Sequence, residues 1–245
     1  MLKNILHLFT ISSLLLFASC KESSTESESD NNTNIVPPVT LNLNTSISEN
    51  NTDQWAQSAK NLAESSAALY NIFVPLISSS FPWKKSGNTW TYEATIGTYS
   101  VKYQLVDQGS SYTFTYIING TFNDKSVTNF TFYETTYAKD NKSGSWKTFE
   151  LKTDGTPFME LKYDWSFSAT GMFGGTLNYY NENAINTDKL ITMIEADKSG
   201  SFSSYATGNI KTSYYSWSTN GSGQVFFYKP DGLTIDSNHS WGPNP

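Results

Sequence analysis

Between residues 51 and 80, apolar or small side chains recur at alternating steps of four and three, the spacing of one helix face. The positions are Trp55, Ala59, Leu62, Ser66, Leu69, Phe73 and Leu76. Asn51 or Thr52 can cap such a helix, and Asp53 suits the positive end of its dipole. We therefore predict one N-terminal amphipathic helix over 51–80, which Pro75 stops or kinks near its end.

From Trp83 onward the apolar period changes to two, which is typical of strands with one buried face. Turn signals of Gly, Asn and Asp separate these runs, and no second helical pattern of comparable length interrupts them. We predict a mainly β domain over 81–235, built as an antiparallel meander of about ten strands. It would form a curved sheet or an up-and-down barrel with the helix packed on it. A two-sheet sandwich is the alternative, and 236–245 is expected to be a C-terminal tail.

The charge balance argues against nucleic-acid binding. All 16 basic residues are lysines, the formal net charge is -6 and the pI is about 4.9. Binding to phosphate backbones needs a basic surface, and arginine is the usual bidentate reader of phosphate and guanine. We expect no nucleic-acid partner.

The stock of reactive side chains is small. The chain has one cysteine and two histidines, His7 and His239. No zinc site of cysteines and histidines can be assembled from this stock, and no disulfide can form within the chain. The sequence also lacks a calcium loop and a phosphate-binding glycine loop. We predict no metal, no cofactor and no identifiable catalytic residue.

The first 20 residues carry an export signal. Lys3 precedes an apolar stretch of about 13 residues, which is shorter than the roughly 20 that a membrane-spanning helix needs. The stretch ends in Ala18, Ser19 and Cys20. This resembles the signal peptide and lipobox of bacterial lipoproteins, although Phe17 stands where leucine is usual. The resemblance implies a signal peptide over 1–19 and a Cys20 that carries a diacylglyceryl thioether and an acyl chain such as palmitate.

The segment after Cys20 predicts a tether. Residues 21–30 contain one lysine followed by four acids and four serines, and no aromatic residue occurs over 21–50. Such a composition cannot bury enough apolar area to offset its ordering entropy. We predict a flexible tether over 20–50. The tract over 21–30 is similar to the one that follows the lipidated cysteine in surface-exported lipoproteins of the Bacteroidetes type. The resemblance implies a lipid-anchored protein at the cell outer membrane, on its surface or periplasmic side.

An excess of aromatic residues is the positive indication of binding. The chain has 15 tyrosines, 15 phenylalanines and seven tryptophans. Tryptophan can stack on sugars or line an apolar cavity. The candidate ligand-binding residues are Trp90, Trp146, Trp165 and Trp217, each of which can equally be a core residue.

Carboxylates are the remaining catalytic candidates. Glu160 and Asp164 would share one strand face with Lys162, about 13 Å apart. Glycosidase pairs lie about 5 to 9.5 Å apart, so a solvated face is the favoured interpretation.

These observations favour a non-catalytic outer-membrane lipoprotein, held by its lipid anchor, that binds an apolar or carbohydrate ligand or an envelope partner. A carboxylate-based enzyme acting on surface glycans is one alternative, and a structural or adhesive envelope protein is the other. Enzymatic activity stays open, and the sequence does not set the oligomeric state.

Overall fold

A computed structural model describes residues 40, 43–71, 77 and 81–244 of the chain. The predicted signal peptide, Cys20 and most of the predicted tether lie outside the described residues. Phe73, Pro75 and Leu76 of the predicted helix also lie outside them.

The domain is dominated by one antiparallel sheet. Its strands are β1 (Lys84–Ser86), β2 (Thr89–Ile96), β3 (Tyr99–Asp107), β4 (Ser111–Phe122), β5 (Lys125–Ala138), β6 (Ser143–Leu151), β7 (Pro157–Phe167), β8 (Phe173–Tyr180), β9 (Asn186–Ile194), β10 (Gly200–Ala206), β11 (Ile210–Trp217), β12 (Gly223–Tyr228) and β13 (Ile235–Trp241). Each strand pairs with the next in the chain, so the order in the sheet is the order in the sequence.

The prediction of a mainly β antiparallel meander is confirmed, but its details need correction. There are 13 strands in one open sheet, not about ten. In the described part of the chain β1 and β13 do not pair with each other, so the single sheet is not closed into a barrel and is not a two-sheet sandwich. The two edge strands were missed because β1 has only three residues and β13 is exposed at six of its seven positions. Short or polar edges discourage pairing with other chains.

Aspartate and asparagine side chains shape many of the hairpin turns. In each such turn the side-chain Oδ1 accepts the backbone N–H two residues later, which is an Asx turn and mimics a backbone turn. The residues are Asp107, Asp140, Asp154, Asn181, Asp197, Asn220 and Asp231. The turn signals in the sequence therefore have a direct structural cause.

The helix α1 spans Gln54–Ala68, and a 3₁₀ turn follows over Leu69–Asn71. The helix α1 is shorter than the helix predicted over 51–80, and it does not lie at the N-terminus of the chain. Asp53 is its N-cap and accepts the backbone N–H groups of Trp55 and Ala56. The buried stripe consists of small residues: Ala56, Ala59, Ala63, Ser66 and Ala67. These small side chains let the helix approach the aromatic sheet closely. Trp55 and Leu62, by contrast, are only partly buried.

Both ends of α1 are fixed to the sheet. The helix contacts β8, β9, β10, β12 and β13. At its C-terminal end, the Trp146 Nε1 and the Tyr163 hydroxyl donate to the carbonyl oxygens of Leu69 and Ser66, at 3.2 and 3.0 Å. These bonds attach the last turn of the helix and the 3₁₀ turn to β6 and β7. At the other end, Asp53 Oδ2 lies 2.9 Å from His239 Nε2 on β13.

The first strands are covered by the chain that follows α1. Phe81 stacks on Tyr92 with ring centroids 4.9 Å apart, and Tyr92, Tyr103 and Tyr116 form a stack with centroid spacings of 5.7 and 5.0 Å. Burial is the main cause that raises the pKa of Tyr103 to about 12. The segment after α1 and the helix α1 itself cover the same side of the sheet. We call this side the covered face.

Two predicted segment boundaries need correction. The expected tail over 236–245 contains most of β13, whose Trp241 is only 5% exposed and donates to the Gly221 carbonyl oxygen at 2.8 Å. The expected tether over 20–50 is ordered at its end. Ile47 is buried, and the Ser46 N–H donates to the Lys198 carbonyl oxygen at 2.9 Å. Neither segment is rich in large apolar residues, so composition alone did not reveal these contacts.

Candidate binding face

The face of the sheet opposite α1 is partly exposed, and its strand register aligns side chains from eight strands. One continuous line of cross-strand partners runs over β5 to β12. It consists of Thr136, Ser145, Asp164, Thr176, Ile191, Ser203, Tyr214 and Phe226. We call this line the outward row. With strands about 4.8 Å apart, it extends over roughly 34 Å.

The first half of the outward row forms the floor of an open groove. The groove has a volume of about 780 Å³ and crosses β4 to β9. Hydroxyl side chains dominate its lining: Ser111, Thr136, Ser145, Ser166 and Thr176. Each hydroxyl can both donate and accept a hydrogen bond. Ile191 and Met193 add an apolar border. We call this feature the hydroxyl groove.

Aromatic rings and lysines lie on and beside the second half of the outward row. Lys211 Nζ lies 5.7, 5.3 and 5.6 Å from the ring centroids of Tyr205, Tyr214 and Tyr228. Lys189 Nζ lies 4.6 Å from the centroid of Tyr205. All five side chains are partly exposed. These are cation–π distances, and we call the five residues the Tyr–Lys cluster.

A β-bulge gives the cluster its composition. Ser204 pairs with Ser213, whereas Tyr205 pairs with Lys211, so Thr212 is an extra residue in β11. In a regular strand without the bulge, Lys211 and Ser213 would share the covered face, because residues two apart point to the same side. The bulge therefore places Lys211 outward, beside Tyr205.

Charges differ between the two halves of this face. Around the groove, Lys147 Nζ lies 3.0 Å from Glu134 and Lys162 Nζ lies 2.9 Å from Asp164. In the part of the chain that the structure describes, no carboxylate lies within 4.0 Å of Lys189 or Lys211. Lys189 instead donates to the Asn209 side chain at 2.6 Å.

The four candidate tryptophans are not at this face. Trp90, Trp146, Trp165 and Trp217 are 5, 1, 6 and 4% exposed and belong to the core of the covered face. Only Trp165 also borders the hydroxyl groove. In each strand these tryptophans alternate with polar neighbours, so they share the buried side. Burial of such a large apolar side chain stabilises the sheet. Cys20 lies outside the described residues.

The two candidate carboxylates have different surroundings. Asp164 faces outward beside Lys162, whereas Glu160 lies in a bulge of β7. Burial, and then the negative charges of Asp188 and Glu160, raise the pKa of Tyr179 to about 12. Glu160 is thus near Tyr179, a partly buried residue that packs against the core. This arrangement does not favour a carboxylate pair across one cleft.

The sequence does contain an indication of the aromatic part of the outward row, namely runs of adjacent aromatic residues. Tyr214 is followed by Tyr215, and Phe226 is followed by Phe227 and Tyr228. In a strand, consecutive residues face opposite sides. Adjacent aromatic residues must therefore place one ring on the outward face.

Comparison with known proteins adds no relationship: the chain matches no protein-family model, and it has no significant match among the curated proteins. In the described ranges, no helix combines the length and apolar character needed to span a membrane. Nor do three or more His, Cys, Asp or Glu side chains cluster as metal ligands anywhere among the described residues.

Proposed function

We propose that this protein is a lipid-anchored envelope protein whose β domain binds an extended glycan on its outward face, without catalysis. The observation that carries the proposal is the outward row, which joins a hydroxyl-lined groove to a partly exposed set of aromatic rings. A glycan presents hydroxyl groups and flat C–H faces in alternation. Serine and threonine hydroxyls suit the former, and tyrosine rings suit the latter.

The covered face offers less support for an apolar ligand. Its large rings already pack on one another, on α1 and on Phe81. Tyr70 of the 3₁₀ turn, for example, lies edge-on to Trp165 with centroids 5.1 Å apart. A lipid would have to displace these contacts, whereas the outward row is reached without displacing the core.

The anchor is compatible with access to this face. The described chain before α1 contacts the turns at one end of the strands. Ser46 bonds to Lys198 between β9 and β10 and to Ser218 between β11 and β12. In the proposal, Cys20 holds the protein to the outer membrane, and the segment after it connects to the domain at this end.

Glycan binding is tested by affinity electrophoresis of the domain in gels that contain a soluble neutral or acidic polysaccharide. We expect retardation of the wild-type domain and its loss in Tyr214→Ala, because that variant removes a ring of the outward row. Tyr180→Ala, a partly exposed tyrosine outside the row, is the control and should stay retarded. If no polysaccharide retards the wild type, glycan binding is wrong, and a structural or adhesive role is favoured.

The anchor has a separate test in cells. Growth with radiolabelled palmitate should label the wild-type protein in the membrane fraction, and Cys20→Ala should carry no label because the acceptor sulfur is gone. Labelling of Cys20→Ala at the wild-type level would contradict the proposed lipid attachment.

A further inference from the structure

We infer that the glycan recognised by the outward row is acidic, with carboxylate or sulfate groups bound at the Tyr–Lys cluster; the inference rests on the proposed function and names the ligand class of that same face. The first step is the charge of the cluster. Lys189 on β9 and Lys211 on β11 are partly exposed and are the cross-strand partners of Tyr205 on β10, one on each side of it. The protein as a whole has a formal net charge of -6. These two lysines are therefore a local positive site on a negatively charged protein.

The second step is that the two ammonium groups are held in place but not neutralised. Lys211 is surrounded by three tyrosine rings at 5.3 to 5.7 Å. Aromatic rings attract a cation through their quadrupole but leave its charge and its N–H donors available. Elsewhere on this face Lys147 and Lys162 each pair with a carboxylate. Unlike Lys147 and Lys162, the two lysines of the cluster therefore keep their charge available for an external anion.

The third step is the position of this charge relative to the groove. Ile191 of the hydroxyl groove is joined through Ser203 to Tyr214 of the cluster, so two strand spacings, about 10 Å, separate them. A chain lying along the outward row would meet hydroxyl groups first and then rings flanked by ammonium groups. Acidic sugars combine a flat face for stacking with an anionic group at the ring edge. Both features have a counterpart in the cluster.

The experiment measures the affinity of the intact protein for an acidic polysaccharide, polygalacturonate, and for a neutral one, dextran. We expect the wild type to bind polygalacturonate more tightly than dextran. Lys189→Gln/Lys211→Gln should lose roughly two- to fivefold in affinity per lysine for polygalacturonate, the order expected for partly exposed charge contacts, with little change for dextran. Raising NaCl from about 0.01 to about 0.15 M should weaken only the acidic ligand, since the Debye length shortens from roughly 30 to 8 Å.

Two variants keep the test specific. Lys84→Gln/Lys152→Gln removes the same charge from β1 and from the β6–β7 turn and should bind polygalacturonate like the wild type. Lys189→Arg/Lys211→Arg retains the charge and should retain the preference. Urea unfolding of each variant checks that the fold is intact.

The outcomes separate the two proposals. Equal binding of both polysaccharides, or unchanged preference in Lys189→Gln/Lys211→Gln, overturns the acidic ligand but leaves glycan binding in place. Absence of binding to either polysaccharide overturns both. Loss of polygalacturonate binding in the Lys84→Gln/Lys152→Gln control as well would show that net charge alone acts, and would overturn the assignment to the cluster.

Discussion

The two faces of this sheet are made by the same strands but have opposite characters. On the covered face, rings from neighbouring strands stack and bury one another, as in Tyr92, Tyr103 and Tyr116. On the outward face, the alternate positions hold hydroxyl groups, ion pairs and a few rings that remain partly exposed. The difference shows that burial stabilises the rings of one face, while the partly exposed rings of the other face gain less from burial. The proposed glycan binding would give these exposed rings a role.

A repeated contact stabilises the covered face near the strand ends. Three tryptophans lie across a glycine directly opposite in the register: Trp165 over Gly144, Trp217 over Gly200 and Trp241 over Gly223. The indole N–H groups of Trp217 and Trp241 each donate, at 2.8 Å, to the carbonyl two residues before their glycine. The glycine supplies the space and the tryptophan covers the bare backbone.

The largest expected effect comes from removing a fully buried ring. Trp146→Ala should lower the free energy of unfolding by about 3–5 kcal/mol, because it leaves a large cavity and removes the hydrogen bond to Leu69. Tyr214→Ala on the outward face should cost only about 0.2–1 kcal/mol, the size of a cross-strand contact. Urea denaturation measures both. Equal losses would contradict the division of the sheet into a structural face and a binding face.

An intermediate effect is expected at the glycine–tryptophan pairs. In Gly223→Ala, the new Cβ would lie 2.3 Å from the Ser216 carbonyl oxygen and 2.3 Å from Trp241. Backbone and indole must move, so we expect a loss of about 1–3 kcal/mol. Gly242→Ala is the control, because a Cβ there meets no atom within 4 Å. The measurement is the urea midpoint, and a neutral Gly223→Ala would mean that the close contact is not needed.

The smallest effect concerns the N-terminal end of α1 and depends on pH. Burial acts to raise the pKa of Asp53, but hydrogen bonds from His239 and from the backbone of Ala56 and Trp55 lower it overall. A lowered pKa in the folded state means that the ionised carboxylate stabilises the protein above its unfolded pKa of about 3.9, and that this contribution is lost as pH falls through the folded value.

Replacement of Asp53 tests this dependence. Asp53→Ala should cost about 0.5–2 kcal/mol at neutral pH through the lost cap. Asp53→Asn keeps a capping oxygen and should cost less, with a difference from the wild type that shrinks below about pH 3.9. Asp236→Asn on the exposed part of β13 should show neither effect in urea unfolding. A difference for Asp53→Asn that grows on acidification would contradict the assigned sign.

Much of the fold could be predicted because alternation is a local property. The period of two from Trp90 onward identified most of the strands and the residues of the covered face. The helix was recognised but was drawn too long, and its predicted buried stripe is right in part. Ala59, Ser66 and Leu69 are buried as predicted. Trp55 and Leu62 are only partly buried, whereas Ala56 and Ala63, which were not part of the predicted stripe, are buried. The site was missed because its members are ordinary tyrosines and lysines on an outward face.

By itself, the sequence determined an antiparallel meander, a single preceding helix and the residues that alternate into the core, since each depends on neighbours in the chain. Only the tertiary structure decided which residues become neighbours across strands. The register of eight strands assembles the outward row, and one extra residue at Thr212 turns Lys211 from the covered face to the outward one. Register depends on every turn and bulge together, and a slip of one residue exchanges the two faces.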